Sequence, residues 1–305
     1  MSVYSEYLAM QDRNEALTSD FQVYYRGVTW GDGDHELVKL DIFNGAEVRS
    51  NDTDLPTHHG QQFGVDYASG RAVTMEVELW SDTAEGLQVR IQEWLAATTI
   101  SEIEQPLIIK LPDWDDYTDK VAIDVRPRRR SGPVIEVNTV VGHMARASCQ
   151  FWATDPRLYS ESVQTSLLTQ AESSGGLTFD ATPDFTFGVA GSGGTAVIDN
   201  TGNFESWPHY TITGPITNPS IEITDQNGFI WTLSFNGTVG TNDELHIDSH
   251  PRNRTVLLNG SASRYFWLQD PNGWRYLEPG SNQVTFRGTT AGSPTLLVEY
   301  KSAWL

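Results

Sequence analysis

The chain has one cysteine, Cys149, among 305 residues. No internal disulfide can form, so the fold does not depend on an oxidising compartment. No apolar run approaches the ~18–20 residues a membrane-spanning helix needs, so no membrane insertion is expected. The opening MSVYSEYLAMQDRNEA lacks a basic start and an apolar stretch, and a signal peptide is not expected. Basic residues are scarce: 20 Lys and Arg stand against 40 Asp and Glu, giving a formal net charge of -20. That excludes general nucleic-acid binding, which neutralises phosphates with Lys and Arg. GxSxG, HExxH and CxxC are missing. Gly191-Ser-Gly-Gly194-Thr195 lacks the lysine and the following helix of a phosphate loop.

What is there suffices for folded cores: 38% hydrophobic residues, 11% aromatic, 10 of them Trp. At roughly 100–200 residues per domain, the length gives about two domains. Both halves are acidic, with 14 basic and 26 acidic residues in 1–160 and six and 14 in 161–305. Such dispersed charge serves solubility, or builds a surface that repels something anionic.

The first half mixes strands with one helix. Val23–Trp30 reads as a strand, Leu37–Phe43 as a second, and residues 44–70 as a polar, turn-rich stretch. Ala72–Trp80 alternates: Val73, Met75, Val77 and Leu79 face one way, Thr74, Glu76 and Glu78 the other. Ser81-Asp82-Thr83 offers helix caps, and Leu87, Ile91, Trp94 and Leu95 recur at helical spacing over 83–97. Leu107–Leu111, Lys120–Val125, Val134–Val141 and Ala145–Ala153 complete the strands. Residues 160–194, rich in Ser, Thr and Gly, read as a linker with a loose edge strand. Beyond it, turn pairs such as Asn227-Gly228 and Asn259-Gly260 separate seven or eight short strands, Tyr265–Leu268 among them, which indicates a β-sandwich.

Few residues suggest chemistry. His246-Ile-Asp248-Ser-His250 would put three metal-ligand types on one strand face; the favoured alternative is a strand end with Asp248 capping the next turn. Asp113, Asp115, Asp116 and Asp119 resemble a calcium loop only superficially, because the glycine and glutamate of that loop are missing. Arg126, Arg128, Arg129 and Arg130 form the one basic cluster, read as a subunit contact with acidic surface or as a hairpin tip, Asp113, Asp115 and Asp116 being candidate partners. Trp207, Trp231, Trp267 and Trp274 raise a sugar-stacking reading, with Trp274 and Trp267 the candidates. At least two of the four are expected in the core. No catalytic, cofactor or metal residues are singled out, and a glycan hydrolase would need a carboxylate pair that one sequence cannot place.

Three stretches carry a family resemblance. They are Phe151-Trp-Ala-Thr-Asp155-Pro156-Arg157-Leu-Tyr159-Ser; Gly214-Pro-Ile-Thr217-Asn218-Pro219-Ser-Ile221 with Trp231 and Asp243–Asp248; and Asn259-Gly260, then Trp274-Arg-Tyr-Leu277-Glu-Pro279-Gly280-Ser-Asn282 running to Phe286, then Pro294 through Trp304. In order and spacing they resemble the distal tail proteins of long non-contractile-tailed phages, over about residues 20–305. The resemblance implies a mainly β fold: an N-terminal ring-forming belt domain of β-barrel or sandwich type with one helix (1–160), a linker (161–176) and a C-terminal galectin-like antiparallel β-sandwich (177–305). It implies a non-enzymatic virion protein at the tail tip, without cofactors, assembled as a hexameric ring. Its partners would be the tail tube protein, the tail-tip hub protein and the tape measure protein, with genome DNA passing through the ring and a host cell-wall saccharide as a further ligand. The rival of another class is a carbohydrate-binding host-recognition module. In a ring of six copies, the acidity would repel DNA from the wall if it faced the lumen.

Overall fold

The computed structural model describes residues 17–33, 35–112, 119–135, 143–170, 194–290 and 292–305. It divides into two compact units, Met1–Glu161 with Leu305, and Ser162–Trp304. Both are built from antiparallel strands, and the described residues contain one α-helix.

The first unit holds β1 (Val23–Tyr25), β2 (Val28–Trp30), β3 (His35–Asp41), β4 (Val48–Arg49), β5 (Thr53–Asp54), β6 (Gln61–Gln62), β7 (Tyr67–Ala68) and β8 (Arg71–Ser81). After β8 come α1 (Ala84–Ala97), β9 (Gln105–Lys110), β10 (Lys120–Ile135), β11 (His143–Ala153) and β12 (Leu158–Ser160). The main sheet runs β2-β1-β9-β10-β11-β8-β3. β8 alternates as its sequence requires: Val73, Met75, Val77 and Leu79 are buried, while Thr74, Glu76 and Glu78 stand on the other face. β11 pairs with β8 along its full length, from His143 opposite Ser81 to Ala153 opposite Arg71, and buries Ala145, Ala147, Cys149 and Phe151 on the same side. Helix α1 covers that side. Thr83 caps it by accepting from the Gly86 amide at 3.0 Å. Leu87, Trp94 and Ala97 turn inward, and Trp94 meets Trp30 edge-on at 6.0 Å. Such an edge-to-face pair adds about 0.5–1.5 kcal/mol beyond the area it buries.

Two expectations change here. Val23–Trp30 is a hairpin rather than one strand, because Arg26 and Gly27 both take positive φ, 47° and 86°. An arginine tolerates this region poorly. It is held there by its side chain, whose Nη1 donates to the carbonyls of Ala97 (3.2 Å) and Thr99 (2.8 Å) and whose Nε donates to Gln105 Oε1 (3.0 Å). Lys120 to Ile135 is one strand, so Arg126–Arg130 is no hairpin tip; Val134 and Ile135 end it, and the remainder of Val134–Val141 lies outside the described residues.

The second unit is a two-sheet sandwich. Its strands are β13 (Gln164–Thr169), β14 (Thr195–Asn200), β15 (His209–Thr213), β16 (Ile216–Thr224), β17 (Ile230–Ser234) and β18 (Thr238–Val239), then β19 (Glu244–Asp248), β20 (Thr255–Leu258), β21 (Ala262–Ser263), β22 (Gly280–Thr289), β23 (Thr295–Tyr300) and β24 (Ala303–Trp304). One sheet runs β13-β23-β15-β19-β20-β21, the other β14-β22-β16-β17. Ile212, Leu245 and Val298 from the first meet Ile221, Val284 and Phe286 from the second in one core. Asn259 and Gly260, at φ 52° and 67°, make the β20–β21 turn. The linker expected at 161–176 is corrected in its described part. Gln164–Thr169 is an edge strand in full register with β23 and buries Leu168. Tyr265–Trp267 is a turn of 3₁₀ helix, not a strand.

The stretch Phe151–Ser160 shows why its residue types matter. Both carboxylate oxygens of Asp155 accept from Arg157 Nη1 at 3.2 Å, and Oδ2 also accepts from the Tyr159 hydroxyl at 2.9 Å. Both side chains of the ion pair are nearly buried, at 12% and 11% exposure. Replacing Asp155 by Ala leaves a buried guanidinium without this partner, a loss of about 3–5 kcal/mol. The expected outcome is a correspondingly lower urea midpoint for the first unit of Asp155→Ala, read by tryptophan fluorescence.

Candidate functional site

The arginine cluster sits in mid-strand, where register separates its members. Arg126 and Arg129 lie opposite Trp152 and Gln150 of β11, and Arg130 lies opposite Cys149. The register shifts between Pro127 and Arg129, which leaves Arg128 as the bulged residue. Arg130 therefore turns to the helix side, where Nη1 donates to the Leu95 carbonyl (3.2 Å) and to Thr98 Oγ1 (3.4 Å). Helix α1 has no basic residue in its last turn. Arg130 and Arg26 supply the positive charge that its terminal carbonyls favour. Arg130 thus caps the helix of its own unit while remaining exposed. Arg126 is half-buried. Arg128 and Arg129 are exposed, and among the described residues neither forms an ion pair or hydrogen bond. With Thr98, Thr99, Ile100, Pro127 and Arg130 they line an open depression of about 310 Å³. Asp113, Asp115 and Asp116 lie outside the described residues. Asp119 pairs with Lys110, which also approaches Asp20 at 3.8 Å.

Between β3 and β8 the chain forms two small ladders, β4 with β7 and β5 with β6. This arm is polar overall but exposes several large apolar side chains. Phe63 is 89% exposed, and Val48, Val65 and Tyr67 are each more than half exposed. Contiguous exposed apolar side chains mark contact surfaces. The sheet face away from α1 is polar, carrying Thr74, Glu76, Glu78, Arg146, Ser148 and Gln150. Lys39 approaches Glu76 at 3.7 Å, and Arg146 donates to Glu78 at 2.7 Å. The one thiol, Cys149, is buried and pushed up to about 12 by that burial, which keeps it a neutral, unreactive core group.

In the second unit the His246–His250 stretch behaves as a strand end. Asp248 Oδ1 accepts from the His250 amide at 2.9 Å, the expected cap. His250 Nδ1 accepts from the Arg252 amide at 3.3 Å. Among the described residues no three His, Cys, Asp or Glu groups are placed to hold a metal. His246 does share a face with His209, whose ring centre is 6.5 Å away, and His209 approaches Glu299 at 3.7 Å. Burial pulls the His209 imidazole below its ordinary value, against the upward pull of Asp248, and burial raises Glu299. Sequence reasoning missed His209 because its partners come from β19 and β23, distant in the chain.

The sugar-stacking candidates are also revised. Trp274 is 6% exposed and covered by Tyr265, stacked on it at 6.2 Å. It offers no free face, so Trp274 is withdrawn as a stacking platform. Trp267 is half-buried with the Arg264 guanidinium over its ring at 5.4 Å. Of the four tryptophans only Trp274 is buried; Trp207 and Trp231 are half-buried beneath Arg254 and Arg275. The expectation of two in the core fails because these rings pack against arginines at the edge of the sandwich.

Residues 201–304 match the family model of the siphovirus-type tail component, C-terminal domain. The second unit thus resembles a siphovirus tail-component C-terminal domain. The fold agrees beyond that domain. The crystal structure of SPP1 Dit, described as a paradigm of the hub adsorption apparatus in Gram-positive infecting phages, is similar over 94% of this chain and 100% of its own, at TM-score 0.64 and 12% identity. The phage P2 baseplate in its activated conformation with calcium aligns over 93% of this chain and 98% of the matched chain, at TM-score 0.47 and 10% identity. No curated protein matches the chain. The resemblance to siphovirus distal tail proteins holds in both family model and fold.

His209 makes the second unit sensitive to acid. The unfolded chain takes up a proton on this imidazole at about pH 6.5, before the folded chain does. Its contribution is intact above that pH and fades as the pH falls through the lower folded value. The melting temperature of the second unit is expected to drop between pH 7 and pH 5 by more in the native chain than in His209→Asn. Taking the difference between the two chains removes the opposite trend of Glu299.

Proposed function

We propose that the protein is the distal tail protein of a siphovirus, a ring that joins the tail tube to the tail-tip hub. The carrying observation is the coincidence of a match to the tail-component C-terminal domain with a two-unit fold that parallels Dit along nearly the whole chain. Six copies would form the ring, with the tail tube protein on one side, the hub protein on the other and the tape measure protein within reach of the channel. The role is structural rather than enzymatic, and its place is the virion tail tip.

Two features of the first unit support assembly. The arm between β3 and β8 exposes Phe63, Val65 and Tyr67, which a neighbouring copy would cover. Arg128 and Arg129 are oriented cations in a chain with twice as many acids as bases. Acidic residues of an adjacent copy, Asp113, Asp115 and Asp116 among the candidates, would complete them. In this reading the polar face of β3, β8 and β11 walls the channel through which DNA passes unbound.

Purified protein is expected to form rings at high concentration, seen as a multiple of the 34.0 kDa chain mass in light scattering and as closed particles in electron microscopy. Phe63→Asp combined with Arg128→Glu and Arg129→Glu should leave the circular dichroism of the monomer unchanged and shift assembly to higher concentration. At about 2 kcal/mol per central contact, each site is worth about 30-fold. A native chain that stays monomeric, makes no rings and binds neither tube nor hub protein would overturn the proposal.

A further inference from the structure

The second unit is poor in cations, with six Lys and Arg, yet Arg252, Arg254, Arg264 and Arg275 all fall between residues 252 and 275. Two of these are accounted for locally. Arg275 pairs with Glu278 and lies over Trp231 and Tyr276 at 3.8 and 4.0 Å. Arg264 donates to the Ser263 carbonyl at 3.1 Å. Arg254 differs. Its guanidinium carbon lies 5.7 Å from the Trp207 ring centre and 5.5 Å from that of Trp274, and among the described residues it has no carboxylate and no hydrogen bond. Trp274 is itself 6% exposed, so the ring on which Arg254 rests is fixed in the core.

A guanidinium held by aromatic faces has lost much of its side-chain freedom in advance, and its planar fork matches an oxyanion at two points. Beside it stands a ring that remains partly open: Tyr265, stacked on Trp274, is 41% exposed. A cation flanked by an open ring fits a ligand with negative charge on one edge and C–H surface on the other. We propose that the Arg254 guanidinium, set over Trp207 and Trp274 beside Tyr265, binds an oxyanion carried on a sugar or polyol. The group is a carboxylate or a phosphate. The role of Trp274 is to hold Arg254 in place, not to stack on the ligand. This site belongs to the second unit alone, and ring assembly neither requires nor implies it.

The test uses the full chain, titrated at low salt with oligogalacturonate for the carboxylate, a glycerol phosphate oligomer for the phosphate, a neutral oligosaccharide of equal length and a glutamate-rich peptide, followed by indole fluorescence. Saturable binding to one or both anionic glycans is expected, weakened by added salt. Arg254→Gln should weaken it about ten-fold or more, and Arg254→Lys should restore only part, because the fork is lost. Tyr265→Ser, at an exposed position on the surface of the site, should weaken binding several-fold, which keeps the test valid should an Arg254 variant fold poorly. Light scattering separates this outcome from assembly, since Arg254→Gln should leave ring formation unchanged. Equal binding of the neutral sugar, stronger binding of the acidic peptide, no binding of either anionic glycan, or binding indifferent to Arg254→Gln and Tyr265→Ser would each overturn the proposal.

Discussion

The strict alternation along β8, carried in register onto β11, is the constraint on which the first unit depends. Antiparallel pairing places partners on the same side of the sheet. Once Val73, Met75, Val77 and Leu79 are inside, Ala145, Ala147, Cys149 and Phe151 must be inside with them. A one-residue slip would exchange the faces wholesale, burying Glu76 and Glu78. The buried face must be covered, and α1 follows β8 so closely that it folds back as the cover. The end of α1 then needs positive charge, which arrives as Arg26 from the β1–β2 turn and Arg130 from β10. The positive φ of Arg26 is a cost tolerated because it sets that contact.

A chain with 40 acidic and 20 basic residues has carboxylates to spare. Most of the cations discussed are engaged: Lys110 by Asp119, Arg146 by Glu78, Arg157 by Asp155, Arg275 by Glu278 and Arg287 by Glu222. Against that background Arg128, Arg129 and Arg254 do not lack partners because acids are scarce. Each is nonetheless placed, the first two at a strand bulge and the third between indole rings. Position without a partner among the described residues is the physical signature shared by the proposed subunit contact and the proposed oxyanion site.

Long periodic segments were legible in the sequence, and local exceptions were not. The alternation of Ala72–Trp80 and the cap and spacing of 83–97 emerge within one or two residues of their expected ends, because one buried face dictates both. Glu244–Asp248, Thr255–Leu258 and Thr295–Tyr300 emerge unchanged for the same reason. The break at Arg26-Gly27 was hidden, since it depends on carbonyls some seventy residues away. The tryptophans misled in the other direction. Their composition says core, while their actual neighbours are arginines supplied by distant loops. No window of sequence contains Trp207, Arg254 and Trp274 together, so that cluster needed coordinates.

The charge balance of the polar sheet face alters what acidity can do in a proposed channel. Register places Glu36, Asp41, Glu76 and Glu78 on that face together with Lys39, Arg126, Arg129 and Arg146. Four acids meet four bases, so the face is near neutral whatever the total of -20. Charges on other surfaces are screened beyond about 8–10 Å and add little to the potential at the wall. DNA binding, however, draws on cations free to release counterions from phosphate. Lys39 and Arg146 are already committed to Glu76 and Glu78. The carboxylates of this face therefore act by occupying its cations rather than by building a repulsive field. A neighbouring copy that paired with Arg129 would finish the same task. In such a ring, subunit contact and the passage of DNA would be served by one pattern of paired charge.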